Sequence, residues 1–177
     1  MKIVIISGSP HRNGTSSHLV SEFVRGAEEK GHEVVRFDAA FADIHPCIAC
    51  ERCRRTDKGC VFQDDMQKLN PSLQEADCVV FATPIYYYGI GAQLKTVIDR
   101  FYANNESLQH NKKAVLLTTM ADTEDDSVES LLVWYRHMVS FMDWTDVGRI
   151  IGKGCMTVDS LKETNYPALA YELGKQL

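Results

Sequence analysis

The chain has 177 residues, enough for one domain with a sizeable core. Hydrophobic residues make up 45% and charged residues 24%, an ordinary globular composition, and the net charge of -5 argues against a nucleic-acid binder. No apolar run approaches the ~20 residues of a membrane span. Met1 to Ile6 run straight into Ser7-Gly8-Ser9-Pro10 without the long apolar core of a secretory signal, so a cytoplasmic location is expected.

The predicted elements alternate between strand and helix. A first strand covers Lys2 to Ser7, a β-branched run. A first helix starts near Thr15, carries Leu19, Phe23 and Ala27 on one face, and ends at Gly31. The second strand is His32 to Asp38. An irregular stretch, 39–63, reads as an insertion and holds most of the cysteines. A second helix opens on Asp64-Asp65, which read as capping residues, and buries Met66, Leu69 and Leu73; Asn70-Pro71 is expected to kink or restart it. The third strand is Cys78 to Ala82, followed by a loop from Thr83-Pro84 through the tyrosines. The third helix presents Leu94, Val97, Ile98 and Phe101. The fourth strand is Ala114 to Thr119. The fourth helix runs from about Asp126 to Met142, the fifth strand from about Thr145 to Ile151, and a last helix reaches Leu177.

Continuous apolar strands alternating with helices imply a parallel sheet covered on both faces, within one domain spanning 1–177. Ligands of such sheets sit beyond the carboxyl ends of the strands. After strand one, Gly8-Ser9-Pro10-His11-Arg12-Asn13-Gly14-Thr15-Ser16-Ser17 offers hydroxyls and the N–H groups of a helix start, a setting for a phosphate. It is neither a Walker A loop nor a dinucleotide fingerprint, and a terminal phosphate monoester suits it better than a pyrophosphate. After strand three, Thr83-Pro84-Ile85-Tyr86-Tyr87-Tyr88-Gly89 puts three aromatics at the sheet mouth, flat and polar-tipped as a flavin ring requires; a subunit contact is the competing reading. Thr118-Thr119-Met120-Ala121-Asp122 offers a third wall.

These segments, together with Ala92-Gln93-Leu94-Lys95, Ile98-Asp99-Arg100 and the cysteine loop ending in Asp64-Asp65-Met66, resemble the NADPH-dependent FMN reductase and iron–sulfur flavoprotein group of flavodoxin-like proteins. The resemblance covers nearly the whole chain. It implies a three-layer sandwich with a five-stranded parallel sheet in the order 2-1-3-4-5, and a homodimer or homotetramer with the flavin near a subunit contact. It implies FMN, with the phosphate on Ser9, His11, Arg12, Asn13, Gly14, Thr15, Ser16 and Ser17. The ring is expected against Pro84, Ile85, Tyr86, Tyr87, Tyr88 and Gly89, and against Thr119, Met120 and Asp122.

Cys47-Ile48-Ala49-Cys50-Glu51-Arg52-Cys53 followed by Cys60 can wrap a [4Fe–4S] cluster, with Arg52, Arg54, Arg55 and Lys58 offsetting the thiolate charge. A structural zinc, free thiols or a labile disulfide are the alternatives. Ala49 stands where many relatives carry glycine. Cys78 reads as a core residue and Cys155 has no evident partner. The six histidines show no ligand spacing, and Asp99-Arg100 reads as packing.

The expected function is an enzyme passing electrons from NAD(P)H through FMN to an acceptor: a quinone, another flavin, a protein or the cluster. No side chain need act as acid or base, because the cofactor carries the chemistry. The alternatives are an electron carrier reduced by ferredoxin and a non-catalytic flavin- or metal-binding regulatory module. A tyrosine phosphatase of low molecular weight is excluded by the lack of cysteine after strand one, and a receiver domain by Ala82-Thr83-Pro84 at the end of strand three.

Overall fold

A computed structural model describes residues 1–56 and 58–177; position 57, inside the 39–63 segment, lies outside the described residues. β1 (Lys2–Ser7) is an interior strand because Ile3, Val4, Ile5 and Ile6 are apolar on both faces, and all four are fully buried. It pairs in parallel with β2 (Glu33–Asp38) on one side and with β3 (Cys78–Tyr86) on the other. β5 (Lys113–Thr119) and β6 (Thr145–Gly152) complete the parallel sheet, and β4 (Gly89–Ile90) runs antiparallel to the end of β3. The order is β2-β1-β3-β5-β6. The five long strands thus follow the expected order, and the two-residue β4 shifts the labels of the last two.

Two cores cover the sheet. Ile3, Ile5, Val80 and Val115 pack under α1 (Thr15–Glu29), α7 (Val158–Lys162) and α8 (Tyr166–Gln176). Val4, Ile6, Phe81 and Leu116 pack under α3 (Met66–Glu75), α4 (Ala92–Asp99) and α6 (Asp126–Phe141). On this second face Phe81 stacks on Trp144 at 6.1 Å between centroids, and the Trp144 indole N–H donates at 2.7 Å to the carbonyl of Leu108, the last residue of α5 (Asn105–Leu108). On the first face, α1 and α8 meet at Gly26 and Gly174, where a Cβ on either would run into the other helix's backbone carbonyl.

Gly31 takes φ +77° just beyond α1, as a helix stop requires. Asn70-Pro71 does not restart the helix: α3 runs through Pro71 without interruption. Fully buried Leu73 and nearly buried Leu69 flank the proline, and their packing outweighs the ~3 kcal/mol that an interior proline costs. β3 also outruns its predicted end at Ala82. Pairing with β5 continues to Pro84 opposite Thr119, and pairing with β4 then reaches Tyr86. The 39–63 segment holds a 3-10 turn (Ala39–Phe41) and α2 (Arg52–Arg55), so it is less irregular than its composition suggests.

Candidate functional site

The turn after β1 is pinned before it reaches α1. Gly8 N–H donates to the Ala82 carbonyl at 2.8 Å, and Gly8 passes so close to α4 that a Cβ there would lie 2.6 Å from Leu94 Cβ. Ser9 Oγ accepts from His11 N–H at 3.2 Å, and Gly14 N–H donates to the His11 carbonyl at 3.1 Å. This curls the turn around its own centre. Ser9, Ser16 and Ser17 are buried, while His11, Arg12 and Asn13 stand exposed at the rim.

Gly14 begins α1 in extended conformation and offers no side-chain cap. The first intrahelical bond at this end runs from His18 N–H to the Gly14 carbonyl, and the N–H groups of Thr15, Ser16 and Ser17 have no acceptor among the described residues. Around these donors three hydroxyls converge. Thr119 Oγ1, at the end of β5, lies 2.8 Å from both Thr15 Oγ1 and Ser16 Oγ. Ser17 Oγ donates to the Arg12 carbonyl and accepts from the Arg36 guanidinium, each at 2.7 Å. Arg36, within β2, also grips Asp38, and Arg12 lies over the Phe41 ring at 3.7 Å. Open N–H groups at a helix start beside a group of hydroxyls are the kind of donor set that suits an anion.

The aromatic segment is a hairpin. Tyr86 pairs with Gly89, and Tyr87 and Tyr88 form its tip at φ +46° and +64°. Two positive φ values suit a two-residue hairpin turn, but asparagine and glycine normally supply them. Thr83 ties the hairpin base to its neighbours: its hydroxyl accepts from Gly91 N–H at 2.9 Å and donates to the Pro84 carbonyl at 2.8 Å, and its carbonyl accepts from Thr118 Oγ1 at 2.8 Å. Pro84 and Ile85 are half-buried, and all three tyrosines are exposed, Tyr87 completely. Met120 is buried. The Asp122 carboxylate is committed to the start of α6, accepting from Thr123 N–H, Glu124 N–H and Ser127 Oγ, and these bonds hold its pKa below the ordinary aspartate value.

Cys47, Cys50, Cys53 and Cys60 line a single pocket walled by Ile48, Val61, Phe62 and Tyr102. Cys47 and Cys50 are exposed, and Cys53 and Cys60 half-buried. Burial and the neighbouring Cys60, Cys47 and Cys50 thiolates all raise the Cys53 pKa. Ala49 and Glu51 bend the loop with φ +52° and +61°. Among the described residues no three His, Cys, Asp or Glu side chains are already drawn together as a metal site. Burial pushes Cys78 up to about 12, so it is an inert core thiol. Buried Cys155 donates to the Lys153 carbonyl at 3.2 Å.

Arg100, which lines the pocket, belongs to an ion pair that the sequence does not announce. Arg100 reaches Asp64 through Nη1 at 2.6 Å and Nη2 at 3.2 Å. Asp64 also accepts from His45 N–H at 3.1 Å and Met66 N–H at 3.2 Å. Asp64 therefore does bond the start of α3, but its chief partner is the guanidinium. Burial pushes its carboxyl up; Arg100 and the two N–H donors outweigh that and leave the pKa lowered. Asp65 instead pairs with Lys68 at 2.6 Å and caps nothing with its side chain. His45 stacks on Phe62 at 4.7 Å between centroids.

A five-stranded parallel sandwich with a hydroxyl-rich turn beyond its first strand and an aromatic hairpin beyond its third is a flavodoxin-like architecture. Residues 1–153 match the family described as NADPH-dependent FMN reductase, and the chain belongs to that family. Over 100 residues it is 36% identical to an iron–sulfur flavoprotein of Methanocaldococcus jannaschii, covering 56% of this chain and 51% of that protein. The chain spans about half the length of such curated relatives. A Bacillus subtilis protein with the provisional name NAD(P)H-dependent FMN-containing oxidoreductase YwqN is 25% identical over 187 residues, covering 99% of this chain and 98% of that one. The solved NAD(P)H:quinone oxidoreductase from Methanothermobacter marburgensis shares the fold with a TM-score of 0.78 at 21% identity, over 98% of this chain and 94% of that one. No helix among the described residues is long and apolar enough to cross a membrane.

Proposed function

We propose that the chain is an FMN-dependent oxidoreductase that takes electrons from NAD(P)H and passes them to a quinone, a flavin or an iron–sulfur cluster. It acts as one domain, in the cytoplasm, as a homodimer or homotetramer. The observation that carries the reading is the convergence of Thr15, Ser16 and Thr119 hydroxyls on the open N–H groups of α1. That donor set fits the terminal phosphate of FMN, and the family match supports the same cofactor.

FMN, when bound, supplies the hydride and electron chemistry. The protein's residues bind and orient. Ser9, Ser16, Ser17 and Thr119 fix the phosphate end, with His11, Arg12, Asn13 and Gly14 shaping the rim. The Pro84–Gly89 hairpin and the Thr119–Met120 segment flank the ring. Tyr87, exposed on all sides, offers a face to a ring arriving from solvent. The Asp122 carboxylate supports the α6 start beside the site.

The cysteine pocket supports a second cofactor. Four soft thiolate donors share one apolar pocket, and the iron–sulfur flavoprotein relatives carry that group in their names. Cys47, Cys50, Cys53 and Cys60 would hold a [4Fe–4S] cluster, which supplies one-electron chemistry. An anaerobic preparation reconstituted with FMN, and separately with iron and sulfide, tests both parts. We expect flavin bands that NADH or NADPH bleaches in stopped-flow mixing, together with a broad cluster absorbance and bound iron. Material that stays colourless with FMN refutes the flavin reading; zinc or no metal refutes the cluster. Bands that ferredoxin bleaches and nicotinamides do not indicate a carrier rather than a reductase.

A further inference from the structure

The buried pair beneath the cysteines carries more than a structural load. The Asp64 side chain is 1% exposed and that of Arg100 3%. Two of the three guanidinium nitrogens are engaged: Nη1 on Asp64 Oδ2 and, at 2.8 Å, on the His45 carbonyl, and Nη2 on Asp64 Oδ1. The third, Nε, is buried and has no acceptor among the described residues. Leaving a buried donor unmade is expensive, and a native protein that does so usually awaits a partner. Arg100 lines the same pocket as the four cysteines. An arginine guanidinium stays charged in a protein, so Arg100 is a cation fixed on two sides with one N–H to spare, in the pocket that the four cysteines line.

We propose that Arg100 is the positioning residue of the cysteine pocket, donating Nε–H to the Cys60 sulfur of a bound [4Fe–4S] cluster and so favouring its reduced, more negative state. The inference rests on the cluster reading given above. Charge-assisted donors to ligand sulfur lower the free energy of whichever redox state carries more negative charge. Asp64 and the His45 carbonyl do the aiming, because they leave the fork no freedom to turn.

The test is a dithionite titration of the FMN-loaded, iron-reconstituted full chain, followed by electron paramagnetic resonance. One electron from dithionite converts the [4Fe–4S] core from 2+ to 1+, and the midpoint potential is read directly. Arg100→Lys keeps the charge opposite Asp64 and removes the spare N–H. It is expected to shift the cluster equilibrium about tenfold toward the oxidised form, ~59 mV for one electron. The flavin potential should not move. The double variant Arg100→Met with Asp64→Asn removes the pair as a unit, without stranding a charge, and should shift the cluster the same way. A lower melting temperature with an unchanged cluster potential in both variants means a purely structural role and overturns the inference alone. A wild-type chain that takes up no iron overturns the inference together with the cluster reading.

Discussion

In the proposed FMN site, Thr119 is the residue on which the phosphate end closes, because its single hydroxyl meets both Thr15 and Ser16 at 2.8 Å. It is almost fully buried, so water does not replace it. Thr119→Val keeps the shape and deletes the hydroxyl. With a net hydrogen bond worth about 1 kcal/mol, FMN affinity should fall roughly five- to tenfold in a fluorescence-quenching titration, and the melting temperature should drop by a few degrees because the buried Ser16 hydroxyl loses its partner. Ala49 poses the opposite case. At φ +52° its Cβ is strained, and a left-handed alanine costs ~1–2 kcal/mol. Glycine removes that cost but loses ~0.4–1 kcal/mol through the freer unfolded chain. Ala49→Gly should therefore raise the melting temperature by about 1–3 °C. A fall in melting temperature would show that this alanine is unstrained.

The start of α3 and the 3-10 segment after α4 (Arg100–Asn104) are joined by Asp64 and Arg100, and this junction gives the fold an acid limit. The Asp64 carboxyl is held below the ordinary aspartate value, so it binds fewer protons folded than unfolded near that pH. Its stabilisation is complete above the unfolded value and disappears as pH falls through the lower, folded value. Urea midpoints should hold steady from this source between pH 7 and 5 and drop below about pH 4. Asp64→Asn should remove most of that dependence and cost about 3–5 kcal/mol at neutral pH, because Arg100 is left buried without a counter-charge. Elements with strong periodicity were legible in the sequence: β1, α1 and α6 fall within a residue of expectation. The hydroxyls of the turn after β1 were legible too, since Thr15, Ser16 and Ser17 are contiguous, but that Thr119 meets the first two from β5 was not. The hairpin was read as a loop because Thr83-Pro84 carries a turn signal, which pairing with β5 and β4 overrides. Arg36 and Arg100 were silent because their partners lie 19 and 36 residues away, a separation that no local pattern encodes. His45 likewise gains its meaning only through Asp64 and Phe62.

At the scale of the molecule, the sheet's carboxyl edge is the least self-sufficient part of the protein. Three N–H donors, a buried hydroxyl ring and an aromatic tip await a ligand there, while the two cores beneath are closed. Binding at that edge should feed into global stability by mass action. FMN at about a hundred times its dissociation constant should add roughly 2.7 kcal/mol, or about 5–10 °C in melting temperature; a ligand without the phosphate, such as riboflavin at equal concentration, should add far less. The Tyr87–Tyr88 tip points to a related economy. Its two bulky side chains sit in a backbone region where small residues are at ease. Exchanging them for Asn and Gly is therefore expected to give a sturdier polypeptide that handles its dye poorly: higher melting, weaker flavin retention. If so, the chain accepts a permanently uncomfortable bend so that two aromatic plates stand in solvent before any guest arrives, and its working edge is tuned for readiness instead of rest.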